Sequence, residues 1–293
     1  MFLHQSAHIA PSQCEKIFAL IDCSIDEGVC KRISRWLNSE NHINLFKGTF
    51  AGDAESISPV LVDVAGVSSS RERFIEHLLS TCEGKPLLSL ISTDSSLNQL
   101  ADHLRQILSI GTADGQEFLL RYADNRVLPT IFSVLTDAQR CAFLGPIKKW
   151  LVATHRADVI TFTPPDGDHQ QIELPLQLND QQFAQVMDKS EVHFIVSRLE
   201  QSSELFVSSH PLAARIQFVE RNVEHAQRCG FKDTEDQTAW CLAALRGGED
   251  FFKHEMIVPI IEETLESQKK LFDALMFISN EDWQSIANAQ LTK

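Results

Sequence analysis

The sequence predicts an α/β N-terminal lobe, a mixed sheet with flanking helices, followed by an all-α C-terminal lobe. Three observations carry this. The first half alternates short apolar runs with stretches of helical spacing, the pattern of a layered α/β fold with a largely buried sheet. A Pro-, Gly- and Asp-rich stretch, Thr163–His169 (TPPDGDH), then interrupts the chain. From Asn179 onward only the helical period persists. The expected division is therefore 1–162, an extended linking segment 163–178, and 179–293.

In order, Lys16–Asp22 (KIFALID) reads as a first strand, and Asp26–Leu37 as a helix with Val29, Ile33, Trp36 and Leu37 in register. Pro59–Val64 is a second strand, Ser70–Cys82 a helix burying Phe74, Leu78 and Leu79, and Pro86–Ile91 a third strand. Asp94 or Ser95 is placed to cap the next helix, whose stripe is Leu97, Leu100, Leu104, Ile107 and Leu108. Gly111 stands where that helix can end. Asp114-Gly115 is a turn into a fourth strand, Glu117–Tyr122. Pro129 opens a short helix. Thr136 and Gln139 form a capping box for another, which Gly145-Pro146 breaks, and Ile147–Val152 closes the unit.

Beyond the linker, Gln171–Leu178 alternates Ile172, Leu174, Leu176 and Leu178. Pro175 makes it an edge strand or an extended crossing segment. A helix from about Asp180 turns Phe183, Val186 and Met187 inward. A second starts at Ser209-His210-Pro211 and ends near Cys229-Gly230. A third starts at Thr234, with a Thr-x-x-Gln box to Gln237, and ends at Gly247-Gly248. A last segment, Glu249–Phe277, kinks or restarts at Pro259.

The chain has 293 residues, 43% hydrophobic and 23% charged, with net charge -14. That balance excludes nucleic acid as a main partner, because phosphate backbones are held by clustered Lys and Arg. It excludes a basic membrane-surface protein as well. Residues 1–165 hold 18 acidic and 15 basic side chains, and residues 166–293 hold 22 and 11. The excess reads as solubility or as an acidic face for a basic partner. No run reaches the roughly 20 apolar residues of a membrane span. Met1–Ser12 lacks the basic start and apolar run of a secretion signal. The seven Cys form no CxxC pair, so the expectation is free, mostly buried thiols in a reducing cytoplasm.

Catalytic signatures are missing: there is no G-x-S-x-G, no P-loop and no G-x-G-x-x-G. His254-Glu255 lacks the second His of a zinc protease, and Asp166-Gly167-Asp168-His169 lacks the later ligands of a calcium loop. No cofactor or metal is expected. Cys23 and Cys30 flank Asp26 at a strand-to-helix junction, where a thiolate gains from a helix N-terminus, but packed small side chains are the favoured reading.

The unusual set is polar and central: Arg105, at the edge of its helix's apolar stripe, then Arg121, Tyr122, Asp124 and Arg126 after the fourth strand. Tyr122 is the sole Tyr. The set reads either as a recognition pocket at a strand end or as a salt-bridge knot fixing strand, turn and helix. If Arg121 is buried in such a knot, Arg121→Ala should cost roughly 3–5 kcal/mol of stability.

These residues also carry a resemblance. His103-Leu104-Arg105, then Arg121-Tyr122-Ala123-Asp124-Asn125-Arg126-Val127-Leu128, then Phe143-Leu144-Gly145-Pro146, resemble in order the motifs of the DUF4123 family. Phe18–Asp22 and Leu45–Thr49 match as well, and Ala226–Phe252 looks like the family's C-terminal region. The resemblance implies a non-enzymatic adaptor or chaperone of bacterial type VI secretion. Such a protein holds a cognate toxin effector in the cytoplasm and helps load it onto the VgrG spike, with no stable membrane association of its own. Two other functions stay open: a hydrolase using a Cys–His pair or the Arg/Asp/Tyr cluster, and a structural component of the secretion machine.

Overall fold

A computed structural model describes residues 15–67, 71–153, 158–210 and 212–291. Met1–Ser12, Cys14, Ser70 and Pro211, each used above, lie outside the described residues. The chain divides into two compact units, Met1–Asp188 and Lys189–Lys293.

The first unit holds a six-stranded antiparallel sheet in the order β2-β3-β1-β4-β7-β8. Its strands are β1 (Lys16–Ile21), β2 (His42–Asn44), β3 (Val60–Asp63), β4 (Leu88–Thr93), β7 (Ile147–Ala153) and β8 (Val159–Phe162). A smaller sheet, β6-β5-β9, is built from β5 (Ser109–Thr112), β6 (Glu117–Leu119) and β9 (Leu176–Leu178). Its β5–β9 pair is parallel. The helices are α1 (Glu27–Ile33), α2 (Arg71–Cys82), α3 (Leu97–Gln106), α4 (Val127–Val134) and α5 (Asp137–Leu144).

The central strand β1 explains why the sheet is covered on both faces. Phe18 and Leu20 enter one core, with Leu100 and Leu104 of α3 and Trp150 of β7. Ala19 and Ile21 enter the other, with Val29 of α1 and Phe74 and Leu78 of α2. Alternation puts neighbours on opposite faces, and all four are 0% exposed. Each large one contributes about 1.5–3 kcal/mol by leaving water.

Several local expectations change. Gly111 does not end a helix; it lies inside β5, where a Cβ would collide with the Gln177 side chain of neighbouring β9. Glu117–Leu119 pairs with β5 in the small sheet and does not extend the large one. The cap of α3 is Ser96, neither Asp94 nor Ser95, because only Ser96 stands three residues before Gln99 to form a capping box. Asp94 instead pairs with Lys148 at 2.6 Å. The box at Thr136 and Gln139 forms as expected. Cys23 and Cys30 are not free thiols: the turn between β1 and α1 sets their Cα atoms 5.7 Å apart, within reach of a bridge, and they are joined as a disulfide. Cys82, Cys141, Cys229 and Cys241 are free.

The second unit is helical. Helix α6 (Asp180–Ser202) spans the division, and α7 (Glu204–Ser209), α8 (Leu212–Arg228), α9 (Thr234–Gly247), α10 (Val258–Ser267), α11 (Leu271–Leu275) and α12 (Asn280–Leu291) follow. Of the three residues expected to face inward on α6, Phe183 and Val186 pack on the first unit's core and Met187 is exposed. Pro259 sits in the first turn of α10, so the chain restarts there. The second core gathers Trp240, Phe251 and Ile257, with Leu271 of α11 and Trp283 and Ile286 of α12. No helix among the described residues is long and apolar enough to cross a membrane.

Asp233, and not Thr234, caps α9, accepting from the backbone N–H groups of Glu235 and Asp236 at 2.9 and 3.4 Å. A carboxylate is a strong cap, and the one-residue shift turns Gln237 inward. Gln237 is 0% exposed, and neither amide atom has a hydrogen-bond partner among the described residues. Burying an amide unpaired is unfavourable by about 1–3 kcal/mol. Gln237→Met, which keeps the volume and removes the polar atoms, should therefore raise stability by about 1–2 kcal/mol in urea unfolding. A loss of stability would show that the amide is satisfied.

The division also moves the charge. The acidic run 166–188, with five carboxylates and no Lys or Arg, belongs to the first unit. The units carry 23 acidic against 15 basic side chains, and 17 against 11. The net charges are thus -8 and -6, and the helical unit is not the seat of most of the acidic excess.

Candidate functional site

After β6 the chain continues its ladder for one residue, Leu120 donating to Leu108 O at 2.7 Å. It then makes a turn closed by Asp124 N–H to Arg121 O at 3.0 Å. This turn carries four of the five residues singled out above. Asp124 is 2% exposed. Its Oδ1 accepts from the Arg126 backbone N–H at 2.9 Å and from Arg126 Nε at 3.0 Å, and its Oδ2 accepts from Arg126 Nη2 at 2.8 Å. Such a two-toothed contact is the strongest form of an Arg–carboxylate pair.

Arg121 adds a second layer. Its Nη2 lies 3.6 Å from Asp124 Oδ2 and donates to Asp22 Oδ2 at 3.1 Å and Ser24 Oγ at 2.5 Å. Asp22 follows β1 directly and is itself buried. Its Oδ1 accepts from both the Ser24 N–H and the Ser24 hydroxyl, at 2.9 and 2.6 Å. Asp22 and Ser24 thus complete the knot. Neither stands out in the sequence as part of the polar set, although Asp22 belongs to the Phe18–Asp22 motif.

Asn125, also buried, donates from Nδ2 to Leu88 O at 2.8 Å and Ala153 O at 3.0 Å. It ties the turn to β4 and to the end of β7. Tyr122 is directed into the core. Its hydroxyl donates to Leu104 O at 2.8 Å, and its ring meets Trp150 and Phe143 edge-on, with centroids 5.7 and 6.5 Å away. Burial pushes the Tyr122 phenol far above its ordinary range, with nearby Arg105 opposing weakly.

Arg105 makes a separate contact. Its Nε and Nη2 donate to Leu45 O and Asn44 O at 3.3 and 3.4 Å, and its Nη1 to Asp102 at 3.1 Å. It staples α3 to β2 and the segment after it.

The remaining motif positions behave alike. His103 Nε2 is 2.9 Å from Phe143 O, and the His103 ring lies against Gly145. Thr93 Oγ1 donates to Pro146 O at 2.7 Å. The motifs His103-Leu104-Arg105, Arg121–Leu128 and Phe143–Pro146 therefore meet one another in space, as fastenings between α3, the 121–126 turn, α5 and the sheet.

The His103 contact has a pH signature. Burial lowers its pKa below 6.5, against the opposing bond to Phe143 O. A group whose folded pKa is depressed binds its proton more readily when unfolded. His103 thus supports the fold fully above about pH 6.5 and loses that contribution as the pH falls through the folded value. The urea midpoint should drop below about pH 6.5, and the part due to His103 should vanish in His103→Ala. An equal acid slope in wild type and His103→Ala would contradict this.

A cleft beside the knot is lined by Asp22, Ser24, Phe46, Ile57, Pro59, Leu108 and residues 119–123. Its volume is about 30 Å³. Ligand pockets usually enclose roughly 300–1,000 Å³. The described residues contain no group of three or more His, Cys, Asp or Glu able to hold a metal ion.

No curated protein and no solved structure matches the chain. Residues 17–142 match the model of DUF4123, a domain of unknown function. The match runs from β1 into α5 and takes in the Asp22–Arg121–Asp124–Arg126 knot, His103, Arg105 and Tyr122. The match over residues 17–142 supports the DUF4123 family.

Proposed function

We propose that the chain is a non-enzymatic adaptor or chaperone that binds a cognate type VI secretion effector and helps load it onto the VgrG spike. The observation that carries this reading is the ordered motif set, of which the parts up to Arg121–Leu128 lie inside the matched region, 17–142. The geometry of that set supports it. Arg121, Asp124 and Arg126 are engaged with one another and with Asp22, and the cleft beside them is far smaller than an ordinary ligand pocket. Two units with separate cores supply two independently built surfaces, which suits a protein that must contact both cargo and spike.

The test is deletion of the gene in a bacterium that secretes through this system. The effector encoded beside it should become unstable or remain inside the cell, while other effectors of the machine leave normally. Normal secretion of the neighbouring effector overturns the proposal. Loss of all secretion would identify a structural component instead.

A further inference from the structure

The helical unit carries a groove of about 340 Å³ between α9, α11 and α12. Its floor includes Ala239 and Ala243, one helical turn apart on α9. Small side chains there allow a partner's backbone to come close. One wall is Trp283 of α12, packed so tightly over Gly247 that a Cβ at Gly247 would lie 2.9 Å from the indole ring. The other wall is Phe272 of α11 and Met276 just after it, which are 52% and 66% exposed, and Phe277 next in sequence is 91% exposed. Exposed Met and Phe along a groove are the adaptable apolar surface used for helix capture.

One lining residue is charged. Arg246 is exposed, one turn along α9 from Leu242, and has no hydrogen bond or ion pair among the described residues. The other four arginines of this unit each have a partner, three with a glutamate and one with an aromatic ring. An apolar groove holding one unpaired cation is complementary to an apolar segment holding one carboxylate. Its walls are helices with no free strand edge. An extended strand docked there would leave its backbone groups unpaired, whereas a helix satisfies its own.

We propose that this groove binds an amphipathic helix of a partner protein, with a carboxylate at the edge of its apolar face pairing with Arg246. The inference rests on the adaptor reading only in assigning the helix to another protein.

The test uses the full chain and labelled synthetic 18-residue helices of leucine and alanine with a lysine-bearing polar face. One has glutamate at the edge of the apolar face, one glutamine, and one lysine. By fluorescence anisotropy the glutamate peptide should bind saturably and at least about fivefold more tightly than the glutamine peptide. Met276→Asp should abolish binding, and Arg246→Glu should shift the preference to the lysine peptide. Both positions are exposed, and circular dichroism checks that the variants fold.

Absence of saturable binding, equal affinities for the glutamate and glutamine peptides, or binding unchanged by Met276→Asp overturns the proposal. So does a concentration-dependent dimer that Met276→Asp dissolves, since the occupant is then a second copy. Cosedimentation with phosphatidylcholine vesicles, lost in the same variant, overturns it in favour of a lipid surface. Peptide binding as expected, with normal effector secretion after gene deletion, would overturn the adaptor reading and leave the groove standing.

Discussion

Asp124→Ala is expected to destabilise the first unit by about 3–5 kcal/mol. The carboxylate is nearly inaccessible and holds three donors of Arg126 and the edge of Arg121. Its removal leaves a mostly buried guanidinium, 18% exposed, without that counter-charge, and opens the bond to the Arg126 backbone N–H. Asp124→Asn should cost less, because its amide oxygen can still accept the backbone N–H.

Arg121→Ala distinguishes a half-exposed arginine from a buried one. A buried arginine implies a loss of 3–5 kcal/mol, but Arg121 is 44% exposed, and its partner Asp22 keeps two bonds from Ser24. The cost should be about 1 kcal/mol, as for exposed pairs. Urea midpoints rank the three: Asp124→Ala lowest, Asp124→Asn between, Arg121→Ala closest to wild type. Equal losses for Arg121→Ala and Asp124→Ala would mean that the knot acts as one unit centred on Arg121.

Gly145→Ala is the second large expected effect. Gly145 ends α5 at φ 51 and ψ -112, a conformation that L side chains rarely adopt. A Cβ there would also enter the His103 ring, which its bond to Phe143 O holds in place. Strain and overpacking each cost roughly 1–3 kcal/mol, so a combined loss of about 3 kcal/mol or more is expected. The pair His103→Ala and Gly145→Ala should be non-additive, because deleting the ring removes the collision and leaves the backbone strain. Strict additivity would show that the ring swings aside freely.

The legible parts of the fold were those with local causes. The buried runs of β1, β3 and β4 are continuous because both faces of the sheet are covered. The Thr136–Gln139 box is contained in four residues. Parts decided by distant residues were not legible. Gly111 reads as a helix end until Gln177, brought over it by the β5–β9 pair, explains the missing Cβ. His42–Asn44 is too short to show a strand period and is a strand because Val60–Val62 pairs with it. A better cap one residue away displaced Thr234, and with it the orientation of Gln237. Helix α12 has its own local signals, with Ser279 and Asp282 exchanging hydrogen bonds at its start and Trp283 and Ile286 inward three residues apart, but lies beyond the segment expected to end at Phe277.

The candidate site divides in the same way. Arg121, Asp124 and Arg126 are neighbours in sequence and meet in space. Arg105 shares their motif set but serves another joint, and Tyr122 turns inward because its alternate position faces the core. Asp22, about a hundred residues away, is joined to the turn by a strand order that sequence spacing cannot express.

Binding of a cognate effector is tested by co-expressing the full chain with the effector encoded beside its gene and measuring the mass of the purified species by light scattering. A stable complex of the two chains that survives size exclusion is expected, with the effector insoluble or degraded when expressed alone. A soluble effector that elutes apart from this chain would contradict it.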